Sequence, residues 1–380
     1  MTRIYVDHAA SSPIHPKVIE KMMDVMNNTY GNPSSTHYFG RQARQVIDGV
    51  REKIAESIHA DANEIIFTGS GTEADNLAIF GIAETYKQLG KHIITTQIEH
   101  HAVLHACQHL EKQGYEVTYL PVDETGLIHV NDVKKALRDD TILVTIMFGN
   151  NEVGTIQPIK EIGALLHEHQ AKFHTDAVQA FGLEKIDVKE MRIDLLSVAA
   201  HKINGPKGIG FLYAQKDLKL SSRVIGGDQE RKRRAGTENV PYIAGFGEAV
   251  RIVQQEREKK RETYQEFKCI FLQILQDNEI EFLQNGSLDH SLPHVLNLSF
   301  PGTNLEATLV NLDLAGIAAS SGSACTAGTI DPSHVLVAMF GKGSERLQNS
   351  IRFSFGLHNT EEEIVTAAKE TVKIIKRLTN

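Results

Sequence analysis

The chain has 380 residues, 41% hydrophobic and 23% charged, with 29 glycines against 10 prolines, a composition that excludes collagen-like and mainly disordered proteins. Lys and Arg total 40 against 48 Asp and Glu, a formal charge of −8, so no general positive field exists for a polyanion and direct nucleic-acid binding is not expected. Three cysteines, an odd number far apart in the chain, suit a reducing cytoplasm. No run approaches the roughly 20 apolar residues that cross a bilayer, and the opening MTRIYVDHAASSP lacks the apolar core of a signal peptide, so no membrane partner and a cytoplasmic location are expected.

In chain order, β-branched runs at 64–68, 92–96, 116–120, 141–147, 172–175 and 195–199 predict strands. Between several of them, 72–88, 102–112 and 160–169 are long enough for crossover helices. The alternation predicts an α/β fold with a mainly parallel sheet covered on both faces. Residues 240–277 read as one or two long amphipathic helices leaving the first unit. Strand-like runs at 295–300 and 351–355 and a last helix over 360–377 predict a smaller α+β unit after it.

Several segments carry chemistry. Thr68-Gly69-Ser70-Gly71-Thr72 joins a strand to a helix, and its small residues let backbone N–H groups converge on a phosphate; an ordinary turn capped by Thr72 fits the same residues. Asp176, at the end of a β-like run, is either a ligand-facing acid or a plain N-cap. Lys202 follows an apolar strand, where desolvation lowers a lysine pKa toward Schiff-base use, although a strand-end lysine also reaches water by extending. Cys325 sits among small residues in Ser321-Gly322-Ser323-Ala324-Cys325, whereas Cys107 and Cys269 lie in apolar helical settings and read as core fillers. His101, His105 and His109 share one helix face, which without acid or thiol ligands at motif spacing reads as an exposed face and not a metal site. His100, just before that helix, is the better ligand-facing imidazole. The basic run Arg231–Arg234 reads as a solvated loop.

Taken in order, these motifs resemble the pyridoxal-phosphate-dependent cysteine desulfurases of the NifS/IscS group. The likeness runs through Tyr5-Val6-Asp7-His8-Ala9-Ala10, Gly31-Asn32-Pro33-Ser34-Ser35, Thr68–Glu73, Glu99-His100, Asn150-Asn151-Glu152-Val153-Gly154, Thr175–Gln179, His201-Lys202, Arg234–Asn239, Ser321–Cys325 and Arg352-Phe353-Ser354. The resemblance implies a fold-type I enzyme with a seven-stranded, mainly parallel sheet in a large domain over 13–257. A small domain would comprise 1–12 and 258–380, carrying the cysteine loop at about 320–333. It further implies a homodimer in which Lys202 is the Schiff-base lysine and Asp176 pairs with the pyridine nitrogen of pyridoxal 5'-phosphate. Gln179 would bond the phenolic oxygen, and His100 would stack on the ring. Gly71, Thr72 and His201 would hold the phosphate, joined by Thr237 of the neighbouring subunit, while Asn151 and Arg352 would grip the substrate carboxylate.

The implied reaction converts L-cysteine to L-alanine, with sulfur held as a persulfide on Cys325 and passed to an acceptor in iron–sulfur cluster assembly or in tRNA or cofactor thiolation. Other fold-type I enzymes, an aminotransferase or a selenocysteine lyase, would use the same lysine and acid, and a catalytically silent sulfur-relay protein is the remaining alternative. The chain departs from the group at Ala199, where Ser is common two residues before the His-Lys pair. Weaker cofactor retention is expected from the lost hydroxyl.

Overall fold

A computed structural model describes residues 3–322 and 332–379. In chain order the elements are β1 (Ile4–Tyr5), α1 (Pro16–Asn28), α2 (Tyr38–Ser57), β2 (Ile65–Thr68), α3 (Gly71–Tyr86), β3 (His92–Thr96), α4 (His101–Glu111), β4 (Glu116–Leu120), α5 (Val130–Ala136), β5 (Thr141–Thr145), α6 (Ile159–Leu166), β6 (Lys172–Asp176), β7 (Leu195–Ala199) and β8 (Gly210–Ala214). After them come α7 (Val240–Asp277), β9 (Leu283–Asn285), β10 (Val295–Ser299), α8 (Leu305–Leu314), β11 (Ile317–Ala318), α9 (His334–Phe340), β12 (Ser350–Ser354) and α10 (Glu361–Thr379).

The seven-stranded sheet runs β2-β8-β7-β6-β5-β3-β4. Strands β4, β3, β5, β6 and β7 pair in parallel, and β8 runs antiparallel to both of its neighbours. Every residue of β5, β7 and β8 is buried, as expected where helices cover both faces. Strand β8 arises from the Gly-rich run after Lys202, which carries no alternating pattern. A Cβ at Gly210 would lie 2.5 Å from the Val198 carbonyl oxygen and 2.9 Å from the Ser70 carbonyl carbon, so only glycine lets β8 pass between β7 and the start of α3.

One face of the sheet packs on α1, α2 and the first half of α7 through Val18, Ile47, Phe173, Phe211 and Phe246. The other packs on α3 and α4 through Leu77, Ile82, Val103, Cys107 and Leu212. A further core holds Ile4 and Val6 together with Phe267, Phe271, Phe300, Phe353 and Ile375, beside the antiparallel sheet β12-β10-β9 and the parallel pair β1-β11. Helix α7 is a single helix of 38 residues. Its Phe246 and Val250 enter the first core and its Phe267, Phe271 and Leu275 the second.

Two expectations need correction. Cys269 is exposed on α7, not a core filler, whereas Cys107 is buried. The basic run is only partly solvated: Arg233 donates to the Asn63 carbonyl oxygen at 2.7 Å, and Arg234 clasps Glu73 at 2.7 and 3.2 Å. The turn that carries this run is anchored by Glu230, buried against Arg51 of α2 at 2.6 and 2.7 Å and accepting the Phe67 N–H at 3.0 Å.

Candidate active site

The carboxyl ends of the parallel strands meet one cleft of about 620 Å³, where open α/β sheets hold their ligands. Strand β2 delivers Ser70, Gly71 and Thr72; β3 leads to His100, β5 to Asn151, β6 to Asp176 and Gln179, and β7 to Ala199, His201 and Lys202. Ser320 and Arg352 come from beside the second core, His334 from the start of α9, and Asp7, Ala9 and Ala10 from the N-terminal segment. The two cores thus face each other across the cleft.

At the start of α3 the cap is Ser70, not Thr72: its hydroxyl accepts the Glu73 N–H at 3.0 Å, and Glu73 accepts the Gly69 N–H at 2.8 Å. The N–H groups of Gly71 and Thr72 have no intrahelical acceptor by helix geometry, and both residues line the cleft. A Cβ at Gly71 would lie 2.8 Å from Val178 Cγ2 and 3.4 Å from Ala199 Cβ. The cradle therefore closes around any larger residue. An anion fits beside these N–H groups at the positive end of α3.

Opposite the cradle, Lys202 Nζ donates to the Ala10 carbonyl oxygen at 2.8 Å and also to that of Ala9. Burial and the nearby Arg352 charge pull its pKa down to about 8, against the pull of Asp176 and Asp7. A useful fraction of the amine is therefore unprotonated near neutrality, as Schiff-base formation requires. Asp176 is buried, and desolvation raises it to about 6 although it accepts the Val178 N–H at 2.9 Å. A carboxylate desolvated there is stabilised by a cationic group of a ligand. Gln179 donates from Nε2 to the Ala9 carbonyl oxygen at 2.9 Å and meets His294 Nε2 at 3.3 Å through Oε1.

His201 is pushed down to about 4 by burial and by Lys202, so its imidazole is neutral. His100 is also lowered, first by desolvation and then by Lys202; it caps α4 by accepting the Ala102 N–H at 3.2 Å. His101 and His105 stack at 4.9 Å between ring centroids, and among the described residues no cluster of three or more metal-ligating side chains exists. Thr237 is exposed and away from the described lining of the cleft. Cys325 lies outside the described residues.

Residues 4–366 match the aminotransferase class-V family. The chain belongs to that family. Among class-V relatives, a Bacillus subtilis (strain 168) protein named "Putative cysteine desulfurase IscS 1" is 62% identical over 379 residues, covering 100% of both chains. "Cysteine desulfurase IscS" of Clostridium botulinum (strain Hall) is 46% identical, over 99% of this chain and 95% of its own. A solved structure titled "NIFS-LIKE PROTEIN" superposes with a TM-score of 0.92 at 34% identity, over 99% of this chain and 100% of its own.

The class-V cleft also contains groups for which sequence reasoning found no role. Asp7 takes Arg352 Nη2 at 2.8 Å. Ser320 and the Asn151 carbonyl oxygen take further guanidinium hydrogens at 2.9 and 2.8 Å. Glu152 and Asp75 are buried in the wall. Asp7 and Glu152 stand inside motifs that the resemblance rests on, so a signal was present, but only tertiary contact reveals what each touches.

Proposed function

We infer that this protein is a cysteine desulfurase that takes sulfur from L-cysteine, releases L-alanine and passes the sulfur on to an acceptor. The observation that carries the reading is that Lys202, Asp176 and Arg352 open onto one cleft beside the helix N-terminus at Gly71 and Thr72. The full-length likeness to proteins named cysteine desulfurase supports it.

Cysteine desulfurases and class-V aminotransferases are pyridoxal-phosphate families, and the donors present fit that group: unpaired N–H groups for a phosphate, a buried carboxylate for a ring nitrogen, and a lysine of lowered pKa for an aldehyde. Gly71, Thr72 and His201 would hold the phosphate, with Thr237 of a second copy completing it in a homodimer; Asp176 and Gln179 would hold the ring, and His100 would cover it. Bound there, pyridoxal phosphate supplies an electron sink for the substrate Cα–H bond. Arg352 and Asn151 orient the substrate carboxylate. Lys202 takes the Cα proton and returns it, its lowered pKa keeping both directions accessible near neutrality. The Cys325 thiolate attacks the substrate sulfur; the Cβ–S bond breaks, an S–S bond forms, and the Cβ carbon takes up a proton to become the methyl group of alanine. A persulfide sulfur suits acceptors in iron–sulfur cluster assembly and in tRNA or cofactor thiolation alike.

Cys325→Ala tests the assignment. Sulfide release from L-cysteine in the presence of a thiol reductant should vanish while the absorbance of bound cofactor stays as in the wild type. An unchanged rate would overturn the desulfurase reading.

A further inference from the structure

Arg352 is buried, with 3% of its surface exposed, and three of its hydrogens are already committed. A guanidinium has five N–H donors. Nη2 spends both of its own on Asp7 Oδ1 at 2.8 Å and Ser320 Oγ at 2.9 Å, and Nη1 gives one to the Asn151 carbonyl oxygen at 2.8 Å. Nε is buried and without an acceptor among the described residues. A carboxylate binds a guanidinium best through two parallel N–H bonds. Each of the two edges that offer such a pair, Nε with Nη2 or Nη1 with Nη2, needs a hydrogen from Nη2. A carboxylate that binds at two points must therefore dislodge Asp7 or Ser320.

Charge decides between them. Two carboxylates on one guanidinium in a half-dry cleft repel each other, whereas a neutral hydroxyl can stay and turn. Asp7 is also free to leave: its side chain keeps 19% of its surface exposed, and Tyr5 holds only its backbone carbonyl oxygen, at 3.0 Å. We propose that Asp7 is a built-in competitor for Arg352, a carboxylate that yields to the α-carboxylate of the amino acid on binding and reclaims the guanidinium as L-alanine departs. Asp7 thereby sets both the affinity for amino-acid carboxylates and the rate of product release. This inference rests on the reading of Arg352 as the carboxylate holder.

The test compares L-alanine binding to the wild-type holoenzyme and to Asp7→Asn, Asp7→Ser, Ser320→Ala and Arg352→Gln, by calorimetry and by stopped-flow release. The two Asp7 variants guard against a folding defect in either one. With the competitor discharged, L-alanine should bind at least tenfold more tightly to both Asp7 variants and leave correspondingly more slowly, and the KM for L-cysteine should fall. Unchanged or weaker binding in the Asp7 variants would overturn the proposal, as would tightening in Ser320→Ala alone. Arg352→Gln tests the underlying reading separately: undiminished L-alanine affinity there would show that Arg352 does not hold the carboxylate.

Discussion

Ala199 stands at the end of β7 with its methyl group in the wall of the cleft, 3.4 Å from where a Cβ on Gly71 would lie. A hydroxyl at that spot reaches the space beside the α3 N-terminus, where a phosphate fits, and a hydrogen bond to a charged group contributes about 1.5–3 kcal/mol. Ala199→Ser should therefore slow the loss of pyridoxal phosphate on dialysis and lower its dissociation constant at least tenfold; equal retention would show that the hydroxyl finds no partner there. At this scale the sequence was informative wherever chemistry demands a residue type at a strand end. Lys202, Asp176 and Gly71 could be named from their local settings, His201 only from the family resemblance, and all line the cleft. Asp7 could not be assigned a task, because its partner Arg352 is 345 positions away. The exposure of Cys269 was hidden for a related reason: apolar neighbours in sequence do not say on which side of a long helix a residue lands.

Among the elements, the turn that precedes α7 depends on Arg51 and Glu230. The turn holds Glu230, Arg231 and Lys232 at φ of 47°, 56° and 67°, a conformation that L-residues adopt only when surroundings enforce it. The buried two-point ion pair with Arg51, 8% and 2% exposed on its side chains, supplies that enforcement. Removing one partner strands the other charge, so Glu230→Ala should destabilise the protein by about 3–5 kcal/mol in urea unfolding, and Arg51→Met combined with Glu230→Ala should recover part of the loss. A cost below about 1 kcal/mol would mean that the turn is held by something else. Strands β3, β4 and β7 fall at the bounds their β-branched runs predict. Helices α1 and α2 escaped notice because their caps are imidazoles, with His15 accepting the Lys17 N–H at 3.1 Å and His37 that of Gly40 at 3.2 Å, outside the usual Ser, Thr, Asp and Asn signature. The strand predicted over 141–147 ends at Thr145, since Met147 turns its N–H to the buried Glu99 carboxylate at 3.0 Å.

For the whole molecule, the alternation of strands and helices was enough to reach a parallel α/β sheet with a smaller α+β unit after it. The return of the N-terminal strand to that second unit was available only from the family resemblance, because a strand as short as β1, Ile4–Tyr5, has no pattern of its own. Helix α7 joins the two cores without a break, so it acts as a ruler whose length and phase set where one half of the catalytic machinery meets the other. At about 1.5 Å and 100° per residue, a single residue inserted near Lys259 would advance everything beyond it by one step and turn the Phe267–Phe271 face away from its core. Such an insertion removes no catalytic group. It should nonetheless abolish turnover by displacing Arg352 from Lys202, whereas seven residues, close to two full turns, should restore the phase and leave only a translation of roughly 10 Å to be absorbed. Activity in this enzyme is thus encoded partly as an interval along one helix, a quantity that no individual side chain carries.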